Sequence, residues 1–231
     1  IDEPQHLVKG KITPDLLKLL NIKFCVLRNS KDFNKLNELI KYSYSSKSPV
    51  ACLIEKDTLK SEKIKKIKGK NFLRKDFILE LLKIMHNNSK IISTTGYTSR
   101  ELQQLRKRYK ITKGEDFYMV GGMGHSAMVT LGYSLNSKKQ IICLDGDGSI
   151  LMHLGSLRTL GYFGKKNIKH ILLNNNSHES VGGQITTASQ INFNKLVSSL
   201  GYKKYFKIEN RKNLNLKIKK FLQSEGPSFL E

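Results

Sequence analysis

The sequence predicts an α/β fold: a doubly wound, mostly parallel sheet with helices on both faces, preceded by a partial second α/β domain. Short apolar runs alternate with longer stretches of helical periodicity along most of the chain. Strands joined through helices pair in parallel, because a parallel crossover needs a dozen or more residues, and the helices then cover both faces. Two of the runs also end in small, oxygen-bearing residues. These are Ile141-Ile142-Cys143-Leu144-Asp145-Gly146-Asp147-Gly148-Ser149 and Ile171-Leu172-Leu173-Asn174-Asn175-Asn176. In an open parallel sheet such residues lie at the carboxyl ends of strands, where a crevice receives ligands.

Taken in order, residues 14–20 read as a short helix and 23–27 as a strand. Residues 32–44 read as a helix with Phe33, Leu36, Leu39 and Ile40 apolar, and 50–54 as a buried strand. This is too little sheet for a doubly wound domain, so residues 1–55 are expected to be the end of one that begins elsewhere. The charged stretch 56–70 has no sustained apolar period and carries Gly69, which suits a linker. From 71 to 231 a second series follows, beginning with a helix over 75–86, a strand over 90–93 and a helix over 99–109. A strand over 117–120, a helix over 125–135 and a strand over 140–144 come next. A helix ending near Tyr162, a strand over 170–174 and a helix over 193–200 follow. The series closes with a strand over 203–208, a helix over 214–223 and a strand over 228–230. The end at Glu231, in or just after a strand, suggests trimming there too.

With 41 Lys and Arg against 19 Asp and Glu, the formal charge is +22, which brings nucleic acid into view as a partner. The basic residues are spread along the chain, however, and their densest run, 60–75, overlaps the expected linker. Aromatic residues are not interleaved with them as a stacking platform requires. Specific nucleic-acid recognition is therefore not expected, whereas adhesion at low salt is. No apolar run reaches the roughly 18–20 residues needed to cross a bilayer. The opening Ile1-Asp2-Glu3-Pro4 lacks the form of a signal peptide, so a cytoplasmic chain without membrane contact is expected. Cys25, Cys52 and Cys143 lie in apolar runs without metal spacing and are expected to be buried free thiols.

Asp147 and Asn175, 28 residues apart, offer a carboxylate and an amide oxygen to one hard cation. Oxygen-only ligation by few protein groups suits Mg²⁺, which completes its octahedron with phosphate oxygens and water. Gly146 and Gly148 let the backbone approach a ligand closely, and Gly148-Ser149 opens a helix whose free amides favour an anion. This Gly-Asp-Gly with its spaced Asn pair resembles the signature of thiamine-diphosphate enzymes. The resemblance implies that Asp147, Asn175 and the backbone carbonyl of Ser177 bind Mg²⁺, with Gly146, Gly148 and Ser149 at the diphosphate.

Gly121-Gly122-Met123-Gly124-His125 follows a short strand and opens a helix. By the same resemblance Gly121 receives the aminopyrimidine amine on its carbonyl, Gly122 lies beside the cofactor, and Met123 props it into its bent form. Ser93-Thr94-Thr95-Gly96-Tyr97-Thr98-Ser99-Arg100-Glu101-Leu102 leaves a strand for a helix, with Ser99 or Thr98 as N-cap and hydroxyls available to an anion. Together with Asn175-Asn176-Ser177-His178-Glu179-Ser180-Val181-Gly182-Gly183-Gln184, these segments look like the phosphonopyruvate and sulfopyruvate decarboxylase family. The segments Asp2-Glu3-Pro4-Gln5-His6 and Gly10-Lys11-Ile12-Thr13-Pro14 extend the likeness over nearly the whole chain.

The family's pattern implies thiamine diphosphate and Mg²⁺ as cofactors, a 2-oxo acid as substrate, and an active site formed between domains of two subunits in a homo-oligomer. Residues 1–55 would be the tail of a pyrimidine-binding domain and 71–231 a pyrophosphate-binding domain. The Glu that serves the aminopyrimidine in that family matches no residue here; neither Glu55 nor Glu179 stands in its position. Asn174 stands where relatives often carry Asp, and Gly122 where Ser is usual. His125 and His178 flank ligand-binding motifs and are candidates to bind a phosphonate or supply a proton. His6 is a further candidate to face the site, while His86, His153 and His170 fall in expected helices or strands and read as structural.

Overall fold

The computed structural model describes residues 6–60 and 72–231. Contacts divide the chain into two compact units. The opening residues 1–5 and most of the expected linker lie outside the described residues.

In the first unit α1 (Leu7–Leu19) precedes β1 (Lys23–Leu27). A 3₁₀ turn at Ser30–Asp32 leads into α2 (Phe33–Ser46), and β2 (Val50–Ile54) follows. β1 and β2 pair in parallel, Lys23 opposite Val50 and Leu27 opposite Ile54, with α2 as the crossover. The entry to α2 is fixed by a reciprocal cap: Asn29 Oδ1 accepts from the Lys31 amide, and Asp32 Oδ2 accepts from the Asn29 amide at 3.4 Å and also from the Arg28 amide at 3.0 Å. Both strands stand where the sequence places them. α1 does not: Pro14, expected to open the helix, sits inside it, where it gives no N–H to the preceding turn. No α1 residue is buried, so no apolar stripe marked its first half. Cys25 and Cys52 stand at paired positions and are half-buried, so of the free thiols only Cys143 is buried as expected.

The second unit opens with α3 (Arg74–Ile84), β3 (Lys90–Ser93), α4 (Tyr97–Tyr109), β4 (Glu115–Tyr118) and α5 (Ser126–Leu135). Next come β5 (Ile141–Gly146), α6 (Asp147–Met152), α7 (Gly155–Phe163) and β6 (Ile168–Leu173). The unit ends with α8 (Phe193–Ser199), β7 (Lys204–Phe206), α9 (Leu214–Gln223) and β8 (Ser228–Leu230). The sheet runs β4-β3-β5-β6-β8-β7, all parallel.

The two-residue period of the strands separates the core into layers. Ile142, Leu144, Ile171 and Leu230 pack with α3, α4 and α9, whereas Ile168, Leu172 and Phe229 pack with α5, α7 and α8. Each fully buried Leu, Ile or Phe stabilises by roughly 1.5–3 kcal/mol, so these layers hold the sheet that carries the site. Among the described residues no helix is long and apolar enough to cross a membrane.

Several local expectations need correction: α4 opens at Tyr97 with Gly96 rather than Thr98 or Ser99 at its N-cap, the strand expected over 170–174 is Ile168–Leu173, and that over 203–208 is only Lys204–Phe206. β4 starts two residues before the expected 117–120, because its first residues are acidic and hide the strand. Asp116 is nevertheless held by Arg106, at 2.5 Å from Nε and 2.6 Å from Nη2. The helix expected to run to Tyr162 is two, α6 and α7, broken at His153 and Leu154. What the topology gives the site is a switch point. β3 leads through α4 outward to β4, while β5 leads through α6 and α7 the other way to β6, and a crevice opens between them.

Candidate functional site

Polar contacts tie the strand ends around this crevice. Ser149 Oγ accepts from Thr94 Oγ1 at 2.9 Å and from the Gly124 amide at 3.0 Å. One hydroxyl therefore joins the end of β3, the glycine loop and the start of α6. Gly124 has φ +88°, and a Cβ there would stand 2.5 Å from the His153 ring, so no other residue suits that corner. Asp147 is 3% exposed, and its Oδ2 accepts from Thr186 Oγ1 at 2.5 Å.

Beneath these residues lies a buried network. Asp145 Oδ1 accepts from the Gly146 amide at 3.0 Å, its Oδ2 lies 3.5 Å from His170 Nε2, and His170 Nδ1 is 2.7 Å from the Tyr202 hydroxyl. Burial opposes charge on Asp145, yet His170 and the Ser149 and Ser126 hydroxyls hold its carboxyl below the ordinary range. Burial likewise opposes charge on His170, but Tyr202, Cys143 and Asp145 together carry that ring well above its ordinary value. The sequence expectation that His170 is structural agrees with this placement.

The third wall of the crevice is the loop after β6. Asn175 is exposed; its Oδ1 accepts from the Ser177 amide at 3.2 Å and its Nδ2 donates to Glu179 Oε2 at 3.3 Å. Arg74 Nη1 donates to the same Glu179 oxygen at 3.1 Å, while its Nε and Nη2 fork onto Glu101 at 2.9 and 3.0 Å. The loop folds back on itself: the His178 amide donates to the Gln184 carbonyl at 2.8 Å and the Thr186 amide to the Asn176 carbonyl at 3.0 Å. His178 lies over Gly148, where a Cβ would be 2.5 Å from its Nδ1.

Met123, Gly146, Asp147, Gly148, Ser149, Asn175, Ser177 and His178 thus line one cleft. It encloses only about 50 Å³, and the His178 imidazole stands in the space above Gly148. Gly121 and Gly122 fall in the turn ahead of Met123 and do not line it. Nor does His125, which is exposed and lies against His153 with ring centroids 4.4 Å apart and the rings tilted by 56°. His153 therefore sits at a helix break rather than within a helix. A larger hollow, of about 490 Å³ and lined by Phe72, Phe77, Asn174 and Lys207, adjoins the cleft but does not contain Asp147.

Thr186, Arg74 and the Glu179 contacts were not visible in the sequence, since each joins segments far apart along the chain. The donor set is a buried carboxylate, an amide oxygen and a main-chain carbonyl from neighbouring strand ends. All are hard oxygen donors, which fits Mg²⁺ and leaves positions for phosphate oxygens and water.

Residues 94–231 match the family described as thiamine pyrophosphate enzyme, C-terminal TPP binding domain. The chain is 30% identical over 249 residues to a phosphonopyruvate decarboxylase of Streptomyces hygroscopicus, and 29% over 248 to that of Streptomyces viridochromogenes. Both alignments cover 99% of this chain and 61% of the relative, so the chain spans about three fifths of those proteins. It is also 36% identical over 129 residues to sulfopyruvate decarboxylase subunit beta of Methanocaldococcus jannaschii, covering 55% of this chain and 66% of that subunit.

Proposed function

The chain belongs to the thiamine pyrophosphate enzymes, and on that premise we propose that it binds thiamine diphosphate and Mg²⁺ to decarboxylate a 2-oxo acid, 3-phosphonopyruvate. The products are phosphonoacetaldehyde and CO₂, in phosphonate biosynthesis. The observation that carries the reading is the convergence of Asp147, Asn175, Ser177, Gly146 and Gly148 on one cleft at the switch point. Asp147 Oδ1, Asn175 Oδ1 and the Ser177 carbonyl would hold the metal, and the backbone at Gly146, Gly148 and Ser149 would receive the diphosphate. Thiamine diphosphate, when bound, supplies the electron sink for loss of CO₂.

The chain's own residues bind, orient and move protons. Gly121 and Met123 set the cofactor's other end. His178 would have to leave the space over Gly148 for a diphosphate, and Gly182 and Gly183, with φ values of 141° and 79°, give its loop the backbone freedom to do so. His125 Nδ1, 3.1 Å from the Met123 carbonyl, carries the ring proton, leaving Nε2 to receive or relay one. Residues 1–55 serve as part of a pyrimidine-binding domain, and the active assembly is a homodimer or larger in the cytoplasm.

A second reading, sulfopyruvate as substrate, is favoured by the 36% identity to the sulfopyruvate decarboxylase subunit. Phosphonate and sulfonate differ in charge and protonation, so CO₂ release from the two acids by the native gene product separates the readings. Release from phosphonopyruvate alone supports the first, and release from neither, with cofactor bound, removes both.

A further inference from the structure

We propose that Arg74 and Glu179 form a relay that fixes the amide of Asn175 with its oxygen toward the metal, so that metal affinity depends on two residues that never touch the ion. The inference rests on the proposed metal role of Asn175. An asparagine amide presents an oxygen or an NH₂ group in nearly the same shape, and only the oxygen ligates a hard cation. On an exposed loop that choice needs an external constraint. Glu179 supplies one: its carboxylate is an acceptor only, so the group 3.3 Å from its Oε2 must be Asn175 Nδ2. The Ser177 amide, 3.2 Å from Asn175 Oδ1, enforces the same orientation and takes one of that oxygen's two lone-pair directions.

Glu179 in turn needs an anchor, because its side chain is 52% exposed. Arg74 provides it from the start of α3, itself clamped by the two-pronged bond to Glu101 in the first turns of α4. With Glu179 open to solvent, its pair with the largely buried Arg74 is screened on one side and contributes little to stability. Its consequence here is positional, as with outer carboxylates that orient metal ligands elsewhere.

The test uses Mn²⁺ as the probe, read by electron paramagnetic resonance on the whole chain in the presence of thiamine diphosphate. Glu179→Ala is expected to raise the Mn²⁺ Kd on the order of 10- to 100-fold with little change in the metal-free melting temperature. Arg74→Ala raises it less, and the double variant is no worse than Glu179→Ala, because the two act in series. Glu179→Gln, which keeps an acceptor but loses the ion pair, falls between. The decisive arm is the Asn175→Asp background, where either oxygen ligates: there Glu179→Ala no longer weakens binding.

Wild-type Mn²⁺ affinity in Glu179→Ala, alongside loss of binding in Asp147→Ala, overturns the relay and leaves the metal site standing. Persistent weakening in the Asn175→Asp background also overturns it. Unchanged affinity in Asp147→Ala removes the metal assignment itself, and the relay with it.

Discussion

β5 and β6 lie side by side, Ile141 opposite Ile168 and Gly146 opposite Leu173, yet they position the proposed ligands Asp147 and Asn175 in different ways. β5 is apolar and fully buried from Ile141 to Leu144, and the chain passes directly into Asp147, itself buried and bonded to Thr186. β6 carries Lys169 and His170 in its interior and ends in a loop whose Asn175 is exposed. One proposed ligand is therefore fixed by the core and the other by polar contacts on the surface. Changes at the β5 end should remove binding outright, and changes around the β6 loop should weaken it.

The largest effect is expected for Asp147→Ala, which removes the pre-fixed ligand. Calorimetry should show metal-dependent thiamine diphosphate binding reduced by more than about 100-fold, beyond the range of outer-partner substitutions. Gly148→Ala comes next, because the added Cβ meets the His178 ring at 2.5 Å. The fold should persist, with the ring and its loop displaced and turnover down about 10- to 100-fold, a misplacement effect visible in kcat. A smaller loss, about 10-fold in Mn²⁺ affinity, should follow Thr186→Val, which takes away the hydroxyl on Asp147 Oδ2. Equal losses for Asp147→Ala and Thr186→Val would erase the distinction between ligand and support.

Lys169→Met should leave metal affinity unchanged and act on stability alone. Burial pushes this lysine from its ordinary 10.5 down to about 8, with Glu225 opposing. Between about 8 and 10.5 the unfolded chain holds the proton that the folded chain has released. Stability attributable to Lys169 therefore rises with pH across that window. Denaturant titrations of wild type and Lys169→Met should show this slope only in wild type. Below the window the variant should be more stable by at most about 3 kcal/mol, reduced by the lost bond to the Ser224 carbonyl. Identical pH profiles would mean that β6 carries its lysine without cost.

How much of this was readable follows from what each segment does. β1, β2, β3 and β8 match their sequence expectations end to end, since compact apolar runs between turns admit few other structures. Short-range chemistry marks Asp147, Gly148 and Asn175, as a glycine at a turn and oxygens at strand ends, whereas Met123 and Ser177 were singled out by the family resemblance; all five line one cleft. α1 was half-hidden by Pro14, and β4 by its acidic start. At the break between α6 and α7 the His153 ring lies against Gly124, a contact across the chain that local sequence does not encode. Thr186 on Asp147 and Arg74 on Glu179 join segments 39 and 105 residues apart, so only the fold reveals them.

The most direct test is a crystal structure of the chain with thiamine diphosphate and Mn²⁺, using the anomalous signal of the metal. The account predicts one strong peak ligated by Asp147, Asn175 Oδ1 and the Ser177 carbonyl, with the diphosphate on the backbone at Gly146 and Gly148 and His178 turned away. A peak elsewhere, or bound thiamine diphosphate with no metal at Asp147, would contradict it.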